Sequence, residues 1–447
     1  MTELRHLVSI DDLSLTEMQA LFDAAKGFSE DLTAHSKLCP GRISASLFYE
    51  PSTRTRLSFE SAMLRLGGGV ITAADMRVSS ASKGESLADT VRVVGGGYAD
   101  VLVLRHPSEG AARLAAEFSP VPVINAGDGS HEHPTQTLCD LYSLWVERGR
   151  IEGLDVVLAG DLRYSRTIHS FAYALARFGA NILCVPQGGF ELPDYVMQRL
   201  REEFGVEPVR ANASKMGELA AESDVIYMTP QKPHQLSLFT DAKGWNVSHV
   251  DAVYMTRPQT ERYKAGEGED LSYLQLGKSA LAADSLRDAV VMHPLPRRDE
   301  ISAEIDSDPR SIYFKQAARG VPIRMAILAA LAGELPLLDS PPAAGMPTYP
   351  VLEGENPCPN PNCISNTETR HAVPRVALAS RLPLRVQCAF CSQRLVVGAV
   401  GCLATRRHHE PGSPGLRRVR PEEMRFFLDA QTAERAGFPA AGEAHPV

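Results

Sequence analysis

The stretch Ile43-Ser-Ala-Ser-Leu-Phe-Tyr-Glu50 runs straight into Pro51-Ser-Thr-Arg-Thr-Arg56. The first segment alternates and is apolar at its tip, the pattern of a strand. After it, Phe59, Ala62, Met63 and Leu66 fall on one face of a helix that Gly67 stops. Ser52, Thr53, Arg54 and Thr55 therefore sit where a strand turns into a helix. Backbone N–H groups are free at that point, and the helix dipole presents its positive end. The hydroxyls add neutral donors, and Arg54 adds a planar fork that matches a phosphate. The stretch reads as an anion cradle. In isolation, the commoner outcome for such a run is a capping serine beside solvated arginines. The rest of the chain shifts that balance.

Outward from this point the chain alternates strands and helices. Buried-strand candidates are Val101–Leu104, Val121–Asn125, Asp155–Ala159, Asn181–Val185, Asp224–Met228, Ala252–Met255 and Val290–Met292. Patterned helices intervene at Gln136–Arg148, Thr167–Phe178 and Pro193–Phe204. Short apolar strands between helices predict an α/β protein with two doubly wound parallel sheets. Such sheets hold ligands at the carboxyl ends of their strands. Arg105-His106-Pro107, Gly160-Asp161, Thr256-Arg257 and His293-Pro-Leu-Pro296 all fall there. The Val321–Leu338 stretch carries Arg324 and Glu334 and reads as a core helix, not a membrane span. Asp224–Gln231 and Asp251–Gln259 echo each other, but only the second copy carries an arginine, Arg257.

The chain has 447 residues, 44% hydrophobic and 22% charged, which suggests two to four globular domains. A net charge of −8 argues against a general nucleic-acid binder. The N-terminal segment is amphipathic and not a signal peptide, so the expected compartment is the cytosol, with reduced cysteines. From about 336 to 355 the composition turns to Pro, Gly, Ala and Ser, a linker. Beyond Cys402 it becomes rich in Arg, Pro and Glu, and residues 403–447 are expected to be a flexible tail, with a helix possible at Met424–Ala436.

Several further groups carry chemistry. His133-Pro-Thr-Gln136 opens a helix, so His133 and Gln136 lie one turn apart and can face one ligand. A neutral imidazole N–H and an amide suit a carbonyl oxygen. Ser79 to Glu85 is small, polar and glycine-bearing, hence a lid-like loop carrying the cation Lys83. Arg166 and Arg257, with Gln259 and Arg262, supply forks suited to a dicarboxylate. Cys358-x4-Cys363 and Cys388-x2-Cys391, in a reduced compartment, are the signature of a four-thiolate structural zinc site. A reactive dithiol at Cys388 and Cys391 is the rival reading, and Cys402 is surplus. No paired carboxylates, nucleophilic triad or dinucleotide loop stands out. The site looks built to position and polarise anions.

Taken together, the motifs resemble the aspartate transcarbamoylase family. Residues 3 to 335 resemble its catalytic chain through Phe48-Tyr-Glu-Pro-Ser-Thr-Arg-Thr-Arg56, Lys83-Gly-Glu85, Arg105-His-Pro107, Asn125-Ala-Gly-Asp-Gly129, His133-Pro-Thr-Gln136, Gly160-Asp161, Tyr254-Met-Thr-Arg257 and His293-Pro-Leu-Pro-Arg297. Asn356 to Ser365 with Cys388 and Cys391 resemble the zinc domain of the regulatory chain. The chain looks like a fusion of the two. The resemblance implies a carbamoyl phosphate domain at 1–135, completed by a helix at about 310–335, and an aspartate domain at 136–309. A zinc domain at 356–402 follows the linker.

The implied reaction is carbamoyl phosphate plus L-aspartate giving N-carbamoyl-L-aspartate and phosphate, on the route to pyrimidines. Ser52, Thr53, Arg54, Thr55 and Arg105 would hold the phosphate. His133 and Gln136, with Thr55 and Arg105, would hold the carbamoyl group, and the Pro294-Leu295 backbone would contact it. Arg166, Arg257 and Gln259, with Lys83, would hold aspartate. Ser79 and Lys83 match residues that the family donates from a neighbouring subunit, so the implied assembly is built on trimers. Glu50 would pair with Arg166 and Arg262 on closure. No organic cofactor, membrane or nucleic acid is implied. Two departures stand out: the nucleotide-binding half of the regulatory chain has no counterpart, and residues 229–251 look inserted. An ornithine-type transcarbamoylase, a non-catalytic assembly homologue and a nucleic-acid-binding zinc module are the competing readings.

Overall fold

The computed structural model describes residues 4–76, 83–186, 188–210, 223–229, 240–241, 244–245, 249–257, 275–338, 348–350, 358–368, 370–381 and 383–441. After helix α1 (Leu15–Glu30), the first lobe alternates β1 (Ile43–Phe48), α2 (Thr53–Arg65), β2 (Gly69–Ala73), α3 (Leu87–Gly97), β3 (Val101–His106), α4 (Ala111–Phe118) and β4 (Val123–Asp128). Its four strands are parallel, in the order β2-β1-β3-β4. Val101 to Leu104 are buried on both faces, which is why they read as one apolar run. Phe59, Ala62 and Met63 bury one side of α2. Burying the phenyl and thioether side chains contributes about 1.5–3 kcal/mol each. Gly67 ends this helix with φ of 85°, and a Cβ there would meet the Ser36 carbonyl at 1.8 Å. Only glycine fits.

The second lobe runs α5 (Pro134–Arg148), β5 (Asp155–Gly160), α6 (Arg166–Arg177), β6 (Asn181–Pro186), α7 (Asp194–Glu203), β7 (Val209–Arg210) and β8 (Val225–Met228). A hairpin of β9 (Thr240–Asp241) and β10 (Gly244–Trp245) precedes β11 (Ala252–Met255) and β12 (Val290–Met292). The sheet is parallel throughout, in the order β12-β11-β8-β5-β6-β7. Most of the apparent insertion at 229–251 lies outside the described residues. Helix α8 (Tyr313–Leu331) returns to the first lobe and packs on α1, α2 and α5. No helix among the described residues is long and apolar enough to cross a membrane.

The C-terminal part is antiparallel. Strands β13 (Thr348–Pro350), β14 (Arg375–Arg381), β15 (Leu384–Cys388) and β16 (Arg394–Leu395) form one sheet in that order. The ordered chain then extends further than the sequence led us to expect. Residues 403–441, expected as a tail, belong to a second small unit in which β17 (Ala399–Cys402) pairs with β18 (Arg407–His409) and β19 (Met424–Phe427). Helix α9 (Ala430–Arg435) and the Phe427–Phe438 ring contact, at 5.4 Å between centroids, close it. Strands of three or four residues are too short to leave a clear alternating signal. Only residues 442–447 of the expected tail lie outside the described residues.

This C-terminal part docks on the first lobe of its own chain. Glu109 N–H donates to the Asn362 carbonyl, Ile364 N–H donates to the Glu109 carbonyl, and Asn360 Nδ2 donates to Glu109 Oε2 at 2.8 Å. Arg113 Nη1 donates to the Ala389 carbonyl and to Ser392 Oγ. Leu114 and Ala115 share one apolar cluster with Cys363, Phe390 and Val386. Gly110, at φ of 83°, permits this approach, since a Cβ there would meet the Phe390 backbone at 2.6 Å. Among the described residues, one ion pair, Arg385 with Glu202, reaches the second lobe at α7.

Candidate active site and metal centre

The carboxyl ends of both parallel sheets face one cleft of about 660 Å³. It is lined by Glu50 to Thr55, Arg105, His133, Gln136, Thr167, Thr256, Arg257, His293 to Pro296, Gln316 and Arg324. The strand-end logic of doubly wound sheets is thus carried by both lobes.

At the first wall, Ser52 is the N-cap residue of α2, yet its side chain makes no capping bond. Its Oγ donates instead to Thr55 Oγ1 at 3.0 Å. The first-turn N–H groups of α2 therefore keep their capacity for a ligand anion. Arg105, at the end of β3, is buried. Its Nη1 donates to the Ala126 carbonyl at 3.1 Å and its Nη2 to Glu50 Oε1 at 2.7 Å, while its buried Nε–H has no partner among the described residues. Burial and the nearby Arg257 and Arg105 guanidinium groups hold Arg54 below its ordinary pKa. Three arginines converging on one another mark a site that wants negative charge.

At the second wall, His133 is the N-cap residue of α5, with no side-chain capping bond, and Pro134 occupies the first helical position. Gln136 points its Nε2 at Asp140 Oδ1, 2.8 Å away. The third wall is the loop after β12. Leu295 takes φ of 52° and is followed by a cis peptide bond to Pro296. A positive φ at a leucine is strained backbone of the kind that clusters at functional sites. His293 anchors the loop: Leu295 N–H donates to Nδ1 at 2.8 Å, and Nε2–H donates to Glu300 Oε1 at 2.8 Å. That pattern fixes a neutral imidazole, and burial holds its pKa below the ordinary value.

Of the residues singled out in the sequence, Ser52, Thr53, Arg54, Thr55, Arg105, His133, Gln136, Arg257, Pro294 and Leu295 come together in this cleft. Lys83 is exposed on the loop before α3 and does not line it. Ser79, Gln259, Arg262 and the Arg166 side chain lie outside what is described. Glu50 pairs with Arg105. Sequence reasoning quoted Tyr254 only within a motif, and missed Asp140, Thr167 and Gln316. An aspartate one turn after Gln136, set between Leu138-Cys139 and Leu141-Tyr142, was the only local hint of Asp140.

Cys358, Cys363, Cys388 and Cys391 are buried, with their sulfurs within 4.8 Å of one another. Cys358 to Cys391 is 3.5 Å and Cys363 to Cys388 is 3.6 Å. A tetrahedron with metal–sulfur bonds of about 2.3 Å has sulfurs roughly 3.8 Å apart. The four sulfurs fit a structural zinc ion, and Ser365 Oγ donates to Cys363 Sγ at 3.2 Å as an outer support. Hydrogen bonds from Cys358, Cys363 and Cys391 hold the Cys388 thiol below its ordinary pKa. Cys402 is buried and is not one of the four.

Comparison with known proteins agrees with this geometry. The model of the aspartate/ornithine carbamoyltransferase carbamoyl-P binding domain matches residues 5–145, and that of the Asp/Orn binding domain matches 229–331. The metal binding domain of the aspartate carbamoyltransferase regulatory chain matches 351–396. The aspartate carbamoyltransferase catalytic subunit of Thermoplasma acidophilum is 43% identical over 332 residues, covering 74% of this chain and 99% of its own. The catalytic subunit of aspartate transcarbamoylase from M. jannaschii superposes with a TM-score of 0.59 at 41% identity, covering 73% of this chain and 98% of its own. Aspartate transcarbamoylase from Trypanosoma cruzi, in complex with carbamoyl phosphate and aspartate, gives a TM-score of 0.58 at 33% identity over 74% and 96% of the two chains. The chain belongs to the aspartate/ornithine carbamoyltransferase family, and it carries in the same polypeptide a metal-binding domain of the aspartate carbamoyltransferase regulatory-chain type.

Proposed function

We propose that this chain is an aspartate carbamoyltransferase, moving the carbamoyl group of carbamoyl phosphate to the amine of L-aspartate and releasing phosphate, a step toward pyrimidines. The observation that carries this reading is the convergence of Arg54, Arg105 and Arg257 on one cleft, beside the uncapped start of α2.

The roles follow from the donors. Ser52, Thr53, Arg54, Thr55 and Arg105 hold the phosphate. His133 and Gln136 orient the carbamoyl group, with the Pro294-Leu295 backbone on its far side. Arg257, with Arg166 and Gln259, takes the aspartate carboxylates. The neutral amine attacks the carbamoyl carbon, and negative charge grows on the carbonyl oxygen and the leaving phosphate. Fixed donors aimed at those positions lower the barrier without reorganising. The departing phosphate accepts the amine proton. Exclusion of water protects the labile acyl phosphate.

In this reading the site is completed by Lys83 and Ser79 of a neighbouring copy, in a trimer. The exposure of Lys83, away from its own chain's cleft, supports that arrangement. Carbamoylation of aspartate and of ornithine by the purified chain tests the reading. Turnover with aspartate that falls at least a hundredfold in Arg54→Ala is expected. Preference for ornithine, or an Arg54→Ala protein of undiminished rate, overturns it.

A further inference from the structure

Asp140 lies one turn after Gln136 on α5 and is buried, with 1% of its surface exposed. Its Oδ1 accepts from Gln136 Nε2 and from Gln316 Nε2, each at 2.8 Å, and its Oδ2 accepts from Tyr254 OH at 2.9 Å. Gln316 in turn accepts the His293 backbone N–H at 2.9 Å. The three donors come from α5, α8 and β11, so one carboxylate ties together the carbamoyl end of the cleft, the His293 loop and the strand leading to Arg257.

An ionised carboxylate has lone pairs and no hydrogen to give. Every group facing it must present N–H or O–H. Burial raises its pKa to about 6, against hydrogen bonds from Gln316, Gln136 and Tyr254 that lower it, so it is ionised at neutral pH. The Gln136 amide therefore cannot turn over without placing its oxygen against a negative charge, a cost of about one hydrogen bond plus repulsion. With the NH₂ held by Asp140, the Gln136 oxygen is the end left to the cleft. An oxygen there accepts a hydrogen bond from a ligand N–H and offers nothing to a methyl group.

We propose that Asp140 is a positioning and specificity residue: it locks the Gln136 amide with its oxygen toward the ligand, so that the site selects an acyl phosphate bearing an NH₂ over one of the same shape bearing CH₃. The proposal rests on Gln136 as the group that meets the carbamoyl moiety. It adds what sets the direction of that amide.

Acetyl phosphate, which carries methyl in place of the amine, is the matched probe. In the full-length protein, Asp140→Asn removes the constraint, because an amide at 140 can donate to the Gln136 oxygen. KM for carbamoyl phosphate should rise about tenfold, while the inhibition constant of acetyl phosphate stays within about twofold, tenfold being the worth of one hydrogen bond. A loss of packing alone would move both ligands together, and that result, or no change in either, overturns the proposal. Should the Asn variant not fold, Asp140→Ser is read in the same way. Gln136→Met separates the two layers of the argument. It should abolish the same discrimination, and Asp140→Asn added to it should change the ratio no further. If Gln136→Met leaves the ratio of the two ligands intact, the reading of Gln136 fails and takes the proposal with it. If Gln136→Met shifts the ratio and Asp140→Asn does not, only the Asp140 role is overturned.

Discussion

Arg105 Nη2 donates to Glu50 Oε1 at 2.7 Å, so the arginine best placed to hold an anion is holding a carboxylate. The arginine is almost fully buried and the glutamate only partly so. A phosphate entering the cleft must compete with Glu50 for the same fork. Such a partly exposed pair is worth about 1 kcal/mol. Glu50→Gln should therefore tighten binding of inorganic phosphate by about three- to tenfold in titration calorimetry. Unchanged or weaker binding would show that Glu50 and the anion do not share Arg105.

The Asp140 carboxyl is raised above the ordinary aspartate value, to about 6, chiefly by burial. The sign follows from the raised value: the folded protein binds this proton more tightly than the unfolded chain, so ionising it costs stability as pH rises from about 4 to 6, and that cost is constant above. Arg324 is the charged group acting on it, and the facing Tyr254, Tyr227 and Cys139 are all raised, clear of this range. Below about pH 6 a protonated Asp140 can donate, and the Gln136 amide is no longer fixed. The preference for carbamoyl phosphate over acetyl phosphate should shrink as pH falls from 7.5 to 5.5, and Asp140→Asn should show no such step. Parallel profiles for the two proteins would exclude the link.

Gly110 is the close-packed point between α4 and the metal-binding part. Replacing it by alanine puts a Cβ against the Phe390 backbone at a positive φ. Strain and overpacking of this kind cost about 1–3 kcal/mol. Gly110→Ala should lower the temperature at which the C-terminal part unfolds, with the carbamoylation rate within about threefold of the parent. Equal melting of the two proteins would mean that the contact is not needed for docking.

Loss of the metal should act more strongly. Binding of a structural zinc ion is itself folding free energy, about 10 kcal/mol or more. Strong chelation, or Cys388→Ser, is expected to open residues 358–441 to protease while the two parallel-sheet lobes remain resistant. A C-terminal part that stays resistant without metal would assign its stability to the apolar cluster shared with α4.

The proposed sharing of active sites between copies has a sharp test. In the proposed assembly, Arg54→Ala and Lys83→Ala each remove one side of a site drawn from two copies. Mixing the two inactive proteins under conditions that exchange subunits should restore measurable turnover, because some sites then receive both residues intact. A mixture as inactive as its components would place Lys83 outside catalysis in trans.

Much of the two lobes was legible because buried parallel strands are apolar on both faces. Val101 to Leu104 and Ala252 to Met255 leave continuous runs that a surface loop rarely imitates. Ser52 to Thr55 was legible only in company: alone the run reads as a capping serine beside solvated arginines, and Arg105, His133 and Gln136 at other strand and helix ends tip the balance. The short β17 to β19 strands were invisible because three or four residues are too few to show a period-two alternation. Asp140 escaped notice because its importance lies in three donors from three elements, which no local pattern records. The four cysteines needed no such help, as their spacing alone carried their chemistry.

The metal-binding part rests on the first lobe of the same polypeptide, held through Glu109, Gly110 and Arg113. Two separate chains meeting at such a surface would obey mass action, and dilution would part them. A tether of short linker length keeps the partner at an effective concentration of about millimolar whatever the protein's abundance. Here the stoichiometry of the two units is set at translation. Any mutation that weakens their contact will therefore show up as local opening and reclosing, with no change in composition for a sizing column to detect.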